Sequence, residues 1–431
     1  MRRPNRLPVV TLAPVTISVE DFARQAAAWL EEHGEPAALG AQGAADADDE
    51  FSVAVFHALD FDAERELLED AKRWQQQKAR AGYHAVARSP EFGGLGLSKD
   101  HARAFAALEK GYRVPTVHES FSVTVGLVAP TIEVFGTPEQ KERFVAAVLA
   151  AEMLCCQLFS EPGAGSDLAA LGCRADRDGD EWVINGQKVW SSGAQFCEWG
   201  ELIARSDVDA LKHKGMTAFL VPMDTPGVEI RPIKQMSGGT SFNEVFFDHC
   251  RVPDALRLGP EGGGWNVALT TLGFERDHSD SGGSGASRPG GTWAQLLATA
   301  QAQGVVGQPT MRQDLMRVYI HRFTERLLNQ RAADLARGGT PGPEGSLGKL
   351  MWTEGMTLMS EVASAVLGPR LTADTGQPGT WEWGEHVLGA PGYRIAGGSD
   401  EVQRNIIGER VLGLPGEPRA DKGVPWKDVP R

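Results

Sequence analysis

Apolar residues recur along this chain in two rhythms, and the switches between them divide it into three parts. From Val19 to about Glu152 the rhythm is helical: Phe22, Ala26 and Leu30 fall at i, i+4 and i+8, and Phe144, Val148 and Ala151 repeat the habit. Thr137-Pro-Glu-Gln140 supplies an N-cap, a proline at the first helical position and a glutamine at the capping-box position, so a helix is predicted to start there. From Gln157 to roughly Pro253 the rhythm shortens to β segments. Residues 181–184 and 187–190 flank Asn185-Gly186, which predicts a hairpin closed by a type I′ turn, and 217–221, 228–232 and 243–247 read as further strands. Helical period returns over 265–276, 311–335, 346–367 and 399–411. The predicted fold is multidomain α and β: an N-terminal all-helical domain over 1–154, a middle antiparallel β-barrel or sandwich over 155–260, and a C-terminal four-helix bundle over 261–431. Between the bundle helices, SDSGGSGASRPGG at 279–291 holds too few apolar residues to order itself and reads as a flexible connector.

Composition narrows the partners. A chain of 431 residues exceeds the size at which one core stops growing, in line with several domains. A net charge of −14 and a pI near 5.3 argue against nucleic acid or an anionic membrane as the main partner, since either would want a basic face. The five cysteines, Cys155, Cys156, Cys173, Cys197 and Cys250, are odd in number and lack framework spacing, so a reducing cytoplasm is the expected home. Pro4, Pro8 and Pro14 interrupt any signal-like stretch among the first residues, and no apolar run approaches a membrane span. Neither a strand-linked GxGxxG nor a GxxxxGK[ST] run is present, and the histidines show no metal-ligand spacing.

The chemistry concentrates between Cys155 and Trp190. Gly163, Ala164 and Gly165 let the backbone approach a bulky ligand, while Ser160 and Ser166 add hydroxyls, a combination that fits a phosphate-bearing group. The run SEPGAGSD at 160–167, followed by NGQKxW at 185–190, closely resembles the flavin-binding signature of the acyl-CoA dehydrogenase family. Further matches follow in order: SPEFGGLGLS at 89–98, FGTPEQKERF at 135–144, RVP at 251–253 and GGSDEVQRNIIGERVLG at 397–413. Such collinear matches are hard to obtain by chance, and the resemblance covers nearly everything from Ser89 to Gly413.

That resemblance implies FAD, held between the β domain and the C-terminal bundle. Gln157, Phe159, Ser160, Gly165 and Ser166 would line its ring and pyrophosphate, Trp190, Ser191 and Ser192 would cover the ring's other side, and Ser399, Asp400 and Glu401 would touch its outer parts. Trp190 also reads as the end of a β core strand, and Ser399 to Glu401 also read as a helix cap. The implied reaction is α,β-dehydrogenation of an acyl-CoA thioester, which needs a carboxylate base and an oxyanion site. Many relatives place the base just before the second glycine of the C-terminal motif, where this chain has Gly397. Isovaleryl-CoA and long-chain dehydrogenases place it instead on a bundle helix before an arginine. The matching run is TTLGFERD, which makes Glu275 the candidate base. Ala268, Leu272 and Glu275 fall at i, i+4 and i+7, so the carboxylate shares a stripe with apolar side chains, and desolvation would raise its pKa toward neutrality.

By the same resemblance the Gly397 N–H would donate to the thioester carbonyl, and Ser166, Gly273, Arg276 and Gly398 would contact the acyl-CoA. An electron-transfer flavoprotein is the implied electron acceptor. Two subunit-contact motifs of the family are replaced, by WAQLLATAQAQG after the base helix and by AVLGPRLTADTG at 365–376, so both a homo-oligomer and a heteromer with a related subunit stay open. So do a flavin monooxygenase on the same fold, and fatty, branched or sterol side-chain thioesters as substrates.

Overall fold

The computed structural model describes residues 17–37, 52–115, 118–276, 289–336, 342–377, 379–418 and 421–429, the side chains of 275, 276 and 336 excepted. The N-terminal region is helical. Helix α1 (Val19–His33) starts at Ser18, whose hydroxyl accepts the Asp21 N–H, and buries Phe22, Ala26 and Leu30, the three positions its sequence rhythm selects. Helices α2 (Phe61–Ala81) and α3 (Lys99–Glu109) follow, and a short pair, β1 (Glu35–Pro36) with β2 (Tyr112–Arg113), ties the loops after α1 and α3 together. Helix α4 (Glu119–Phe121) runs through a π-wound stretch, Ser122–Val128, into α5 (Ala129–Phe135). The predicted capping box is present at the start of α6 (Pro138–Leu149), with Thr137 and Gln140 bonded reciprocally.

The middle region is one sheet. Its strands are β3 (Cys155–Leu158), β4 (Arg174–Asp178), β5 (Glu181–Ser192), β6 (Trp199–Arg205), β7 (Met216–Pro222), β8 (Val228–Ile233), β9 (Phe242–Pro253) and β10 (Arg257–Leu258). They run in the order β10-β7-β6-β4-β5-β9-β8, with β3 added parallel to β6 and most other pairs antiparallel. Strand β6 is buried along its whole length; Thr271 of the helix over 264–276 bonds to its Glu201, and Phe144 of α6 packs edge-on against its Trp199.

The hairpin expected at Asn185-Gly186 is not there. β5 runs straight through it, and the turn lies at Gly179-Asp180, where Gly179 takes φ +67° and β4 pairs back on β5 from Asp178 opposite Glu181. Asn185-Gly186 instead forms a register shift against β9, with Gly186 at φ +148° and the Asn185 side-chain oxygen accepting the His249 N–H at 2.9 Å.

The C-terminal region comprises α7 (Gly264–Arg276), α8 (Trp293–Ala302), α9 (Pro309–Ala336), α10 (Gly345–Leu367), α11 (Glu382–Tyr393) and α12 (Asp400–Ile406), which ends in a π-wound turn. Helices α8 and α11 are additional to the predicted helices, and most of the 279–291 connector lies outside the described residues. Leu296, Leu315, Val318, Met359, Ala363 and Trp383 form the bundle core. The segment after residue 52 crosses onto this bundle: Val53 enters its core, and Val55 and Phe56 pack with Trp352, Met356 and Ala390. Among the described residues no helix is long and apolar enough to cross a membrane.

Candidate functional site

The glycine-rich loop is held by a buried ion pair that the motif spells out. Glu161 and Ala164 exchange backbone hydrogen bonds, both at 3.0 Å, and close the loop on itself. The Glu161 carboxylate accepts the Gly172 and Cys173 N–H groups at 2.7 and 2.9 Å and the Lys188 ammonium at 2.7 Å. Lys188, fully buried, also donates to the Phe159 carbonyl at 3.0 Å, and the Val189 N–H donates to the Ser160 carbonyl at 2.9 Å. These bonds pin the loop to β5 from behind. Its outer side is open: a Cβ added at Gly163 or Gly165 would meet nothing within 4 Å, and Ser166 is exposed.

Next along β5, the ladder slips between Lys188 and Ser191, which throws Trp190 into the left-handed region at φ +63°. The indole is 59% exposed and meets Phe242 edge-on at 6.0 Å, so Trp190 is a projecting side chain and not the end of a core strand. A bulky residue held at positive φ is a local strain that the surrounding structure must maintain. Ser191 is buried with its hydroxyl unpartnered, while its carbonyl accepts from Asn243 at 3.0 Å, and the Gln157 side-chain nitrogen on β3 is likewise unpartnered. Buried polar groups are rarely left so. An open glycine loop, a projecting indole and unpaired polar atoms beside them fit a flat, heteroatom-rich group with phosphates.

The C-terminal turn carries Gly397 and Gly398 at φ +66° and +83°. Gln403 donates to both carbonyls, at 2.9 and 3.1 Å, and Lys349 adds a bond to the Gly398 carbonyl at 2.8 Å. Among the described residues no acceptor takes the Gly397 N–H. Ser399 caps α12 through the Val402 N–H, and Glu401 points outward toward Arg404. Asp400 is 1% exposed and binds Arg394 at 2.7 Å and Thr353 at 2.8 Å, so its carboxylate is tied into the bundle.

Helix α7 lies against the sheet through Val267, Ala268 and Thr271, with Leu272 packed at the core's edge. Thr271 donates to Glu201 of β6 at 2.7 Å and contacts Thr131 at 3.0 Å. Burial pushes the Glu201 carboxyl up to about 8, countered by that hydroxyl. Gly273 has open space around its Cβ direction. The α7 backbone reaches Arg276, whereas the side chains of Glu275 and Arg276 lie outside the described residues.

A second polar cluster was invisible to the sequence because its members are distant in the chain. His118 donates from Nε2 to Glu64 at 2.8 Å, His57 stands 3.6 Å from the same oxygen, and the Ser120 N–H donates to His118 Nδ1 at 3.1 Å. These three side chains have the reach of a metal site. However, His118 spends its Nδ1 lone pair on the Ser120 N–H, so Nε2 carries the proton and offers Glu64 a hydrogen bond. Beside the cluster, Glu119 accepts the Tyr393 hydroxyl at 3.1 Å.

Comparison with known proteins bears on all of this. Residues 20–152, 156–250 and 262–412 match the N-terminal, middle and C-terminal domains of acyl-CoA dehydrogenase. The chain is 37% identical over 402 residues to "Acyl-CoA dehydrogenase IpdE1" of Mycobacterium tuberculosis, covering 93% of this chain and 98% of that protein. Two solved structures resemble it: "Tcur3481-Tcur3483 steroid ACAD", with TM-score 0.69 at 26% identity over 93% of this chain and 98% of the other, and the "ChsE4-ChsE5 complex from Mycobacterium tuberculosis", with TM-score 0.67 at 25% identity over 96% and 100%. With three domain matches in order and a relative alike over nearly its whole length, the chain belongs to the acyl-CoA dehydrogenase family of flavin-dependent oxidoreductases.

Proposed function

We propose that this chain oxidises an acyl-CoA thioester to the trans-2-enoyl-CoA, with FAD as its flavin and Glu275 as the base. The observation that carries the reading is the place of α7: it packs on the sheet through Ala268 and Thr271, and Glu275 lies one turn past Thr271 on the same helix face. The loop from Ser160 to Ser166 would hold the pyrophosphate, and Gln157 with Trp190 to Ser192 would hold the ring. When bound, FAD supplies the acceptor for the hydride that leaves the β carbon. Glu275 takes the α proton, a role worth roughly 10²–10⁴-fold in rate. The Gly397 N–H donates to the thioester carbonyl as negative charge develops there, worth about 3 kcal/mol. Ser166, Gly273, Arg276 and Gly398 would contact the acyl-CoA, and an electron-transfer flavoprotein would take the electrons onward. The working domain boundaries are 1–154, 155–260 and 261–431.

We also propose that the partner subunit is a different chain. Helix α9 exposes Met316, Tyr319, Ile320, Phe323 and Leu327, a stripe at helical spacing. Laid antiparallel on its own copy with Ile320 against Phe323, α9 sets Arg317 against Arg326 and Arg312 against Arg331, all four exposed. Like charges there favour a partner helix bordered by carboxylates. The two-component names of the solved relatives agree with this reading.

Anaerobic bleaching of the bound flavin by a panel of acyl-CoA thioesters tests the chemistry. The expected result is rapid bleaching by one class of acyl group, lost in Glu275→Gln; bleaching that survives in that variant removes Glu275 as the base.

A further inference from the structure

The glycine loop has two legs. The pair formed by Glu161 and Lys188 fastens the first to β5, and the second, residues 167–171, is fastened from elsewhere. The Ala169 carbonyl accepts from Arg205 at 2.7 Å, and the Asp167 carboxylate takes the Lys212 ammonium at 2.6 Å. Both cations are buried. Arg205 also donates to the Lys212 carbonyl at 2.8 Å, so the second leg and the stretch joining β6 to β7 share one support. Between the legs the apex stays open at Gly163 and Gly165.

A segment from far along the chain closes that support from outside. Residues 421–429 follow the bundle in sequence, yet they lie on the β region. The Trp426 N–H donates to the Ala210 carbonyl at 2.9 Å, the Lys427 N–H donates to the Val208 carbonyl at 3.1 Å, and Pro425 bridges to Leu211. Asp421 accepts from Lys212 at 2.9 Å, the same ammonium that Asp167 binds. Trp426 reaches deepest. Buried, it lays its ring 4.9 Å from the Arg205 guanidinium, and its Nε1 donates to the Ala170 carbonyl at 3.3 Å. Covering the guanidinium keeps water from it and strengthens the bonds it makes to the loop. A Cβ added at Gly172 would lie 3.7 Å from the indole and 3.9 Å from the Glu161 carboxylate, so the fastenings of the two legs meet there. A loop whose legs are already fixed leaves less ordering to be done when a ligand binds at its apex.

We propose that Trp426 is a positioning residue for the ligand-binding loop: it holds the second leg through Ala170 and Arg205, and the grip of residues 160–166 on the flavin depends on it. This rests on the FAD reading of that loop. On that reading the segment also ties together the two walls between which the flavin is placed, since it continues from the bundle and ends on the β region.

Two readouts test it. Amide exchange over residues 164–171 of the flavin-free protein is expected to quicken about 10-fold in Trp426→Ala and less in Trp426→Phe, which keeps a ring over Arg205 but has no N–H for Ala170. Release of FAD from the loaded protein, followed by the return of flavin fluorescence on dilution, is expected to quicken about 10-fold and about 3-fold in the same two variants. Lys427→Ala, on the same segment but with its side chain at the surface beside Asp209, should change neither. Unchanged exchange, unchanged release, or an equal change in Lys427→Ala would overturn the inference. Should Trp426→Ala fail to fold, Trp426→Phe decides: release at the wild-type rate rejects the inference, and the smaller increase supports it. A wild type that retains no FAD, with exchange still faster in the Trp426 variants, would support the fastening of the loop and remove the flavin reading.

Discussion

Lys188 and Glu161 are the residues whose roles the motif conceals most. Read as text, they are fixed letters in a flavin signature; in the fold they are a nearly dry ion pair that fastens the glycine loop to β5. Removing one partner strands the other, at a cost of about 3–5 kcal/mol. Lys188→Met should therefore lower the unfolding free energy by that amount in denaturant titration and weaken flavin retention, while Trp190→Ala, at an exposed position, should weaken flavin retention with little change in stability. Glu201 offers a pH test. Its folded pKa is raised from 4.5 to about 8, so the folded protein keeps a proton that the unfolded chain releases. Its contribution to stability therefore falls as pH rises from about 4.5 through 8, by roughly 5 kcal/mol at most. Glu201→Gln should flatten that slope and stabilise the protein at pH 8, as thermal unfolding across the range would show.

At the scale of elements, local signals held where local chemistry sufficed. The Thr137 capping box and the Phe22-Ala26-Leu30 stripe were legible because a cap and an amphipathic face are each defined within a few residues. Asn185-Gly186 misled for the opposite reason. The pair favours positive φ, which a type I′ turn and a bulge both use, and pairing with β9 decided between them. A Cβ at Gly186 would lie 2.7 Å from the Cys173 Cα, so Gly186→Ala is expected to destabilise by about 2–3 kcal/mol in equilibrium unfolding. Helix α11 escaped detection because Gly384, Gly389, Pro391 and Gly392 depress its propensity. Two of those glycines make room for another segment: a Cβ at Gly389 or Gly392 would press on Val55 or Phe56 at 2.8 and 2.6 Å. Gly392→Ala should thus loosen the crossing of residues 53–56 onto the bundle, seen as faster amide exchange there.

For the whole molecule, the stripe on α9 predicts an assembly that charge substitution disrupts. Ile320→Asp with Phe323→Asp should reduce the sedimenting mass of the assembled protein while leaving thermal stability within about 0.5 kcal/mol, since both side chains are exposed in the single chain. If the partner supplies carboxylates, raising salt should weaken the assembly as well.

The sequence by itself determined the helical, β and helical order of the three regions and the glycine loop with its collinear companions. Each of these rests on spacing along one stretch of backbone, which periodicity and turn chemistry set locally. Tertiary structure alone decided that Trp190 projects at a ladder slip, that Asp400 serves the bundle, and that Glu64, His57, His118 and Glu119 share one buried quarter beside Tyr393. Those outcomes depend on contacts between residues far apart in the chain, and burial and hydrogen bonding, which fix the chemistry of a carboxyl group, exist only once the chain has packed.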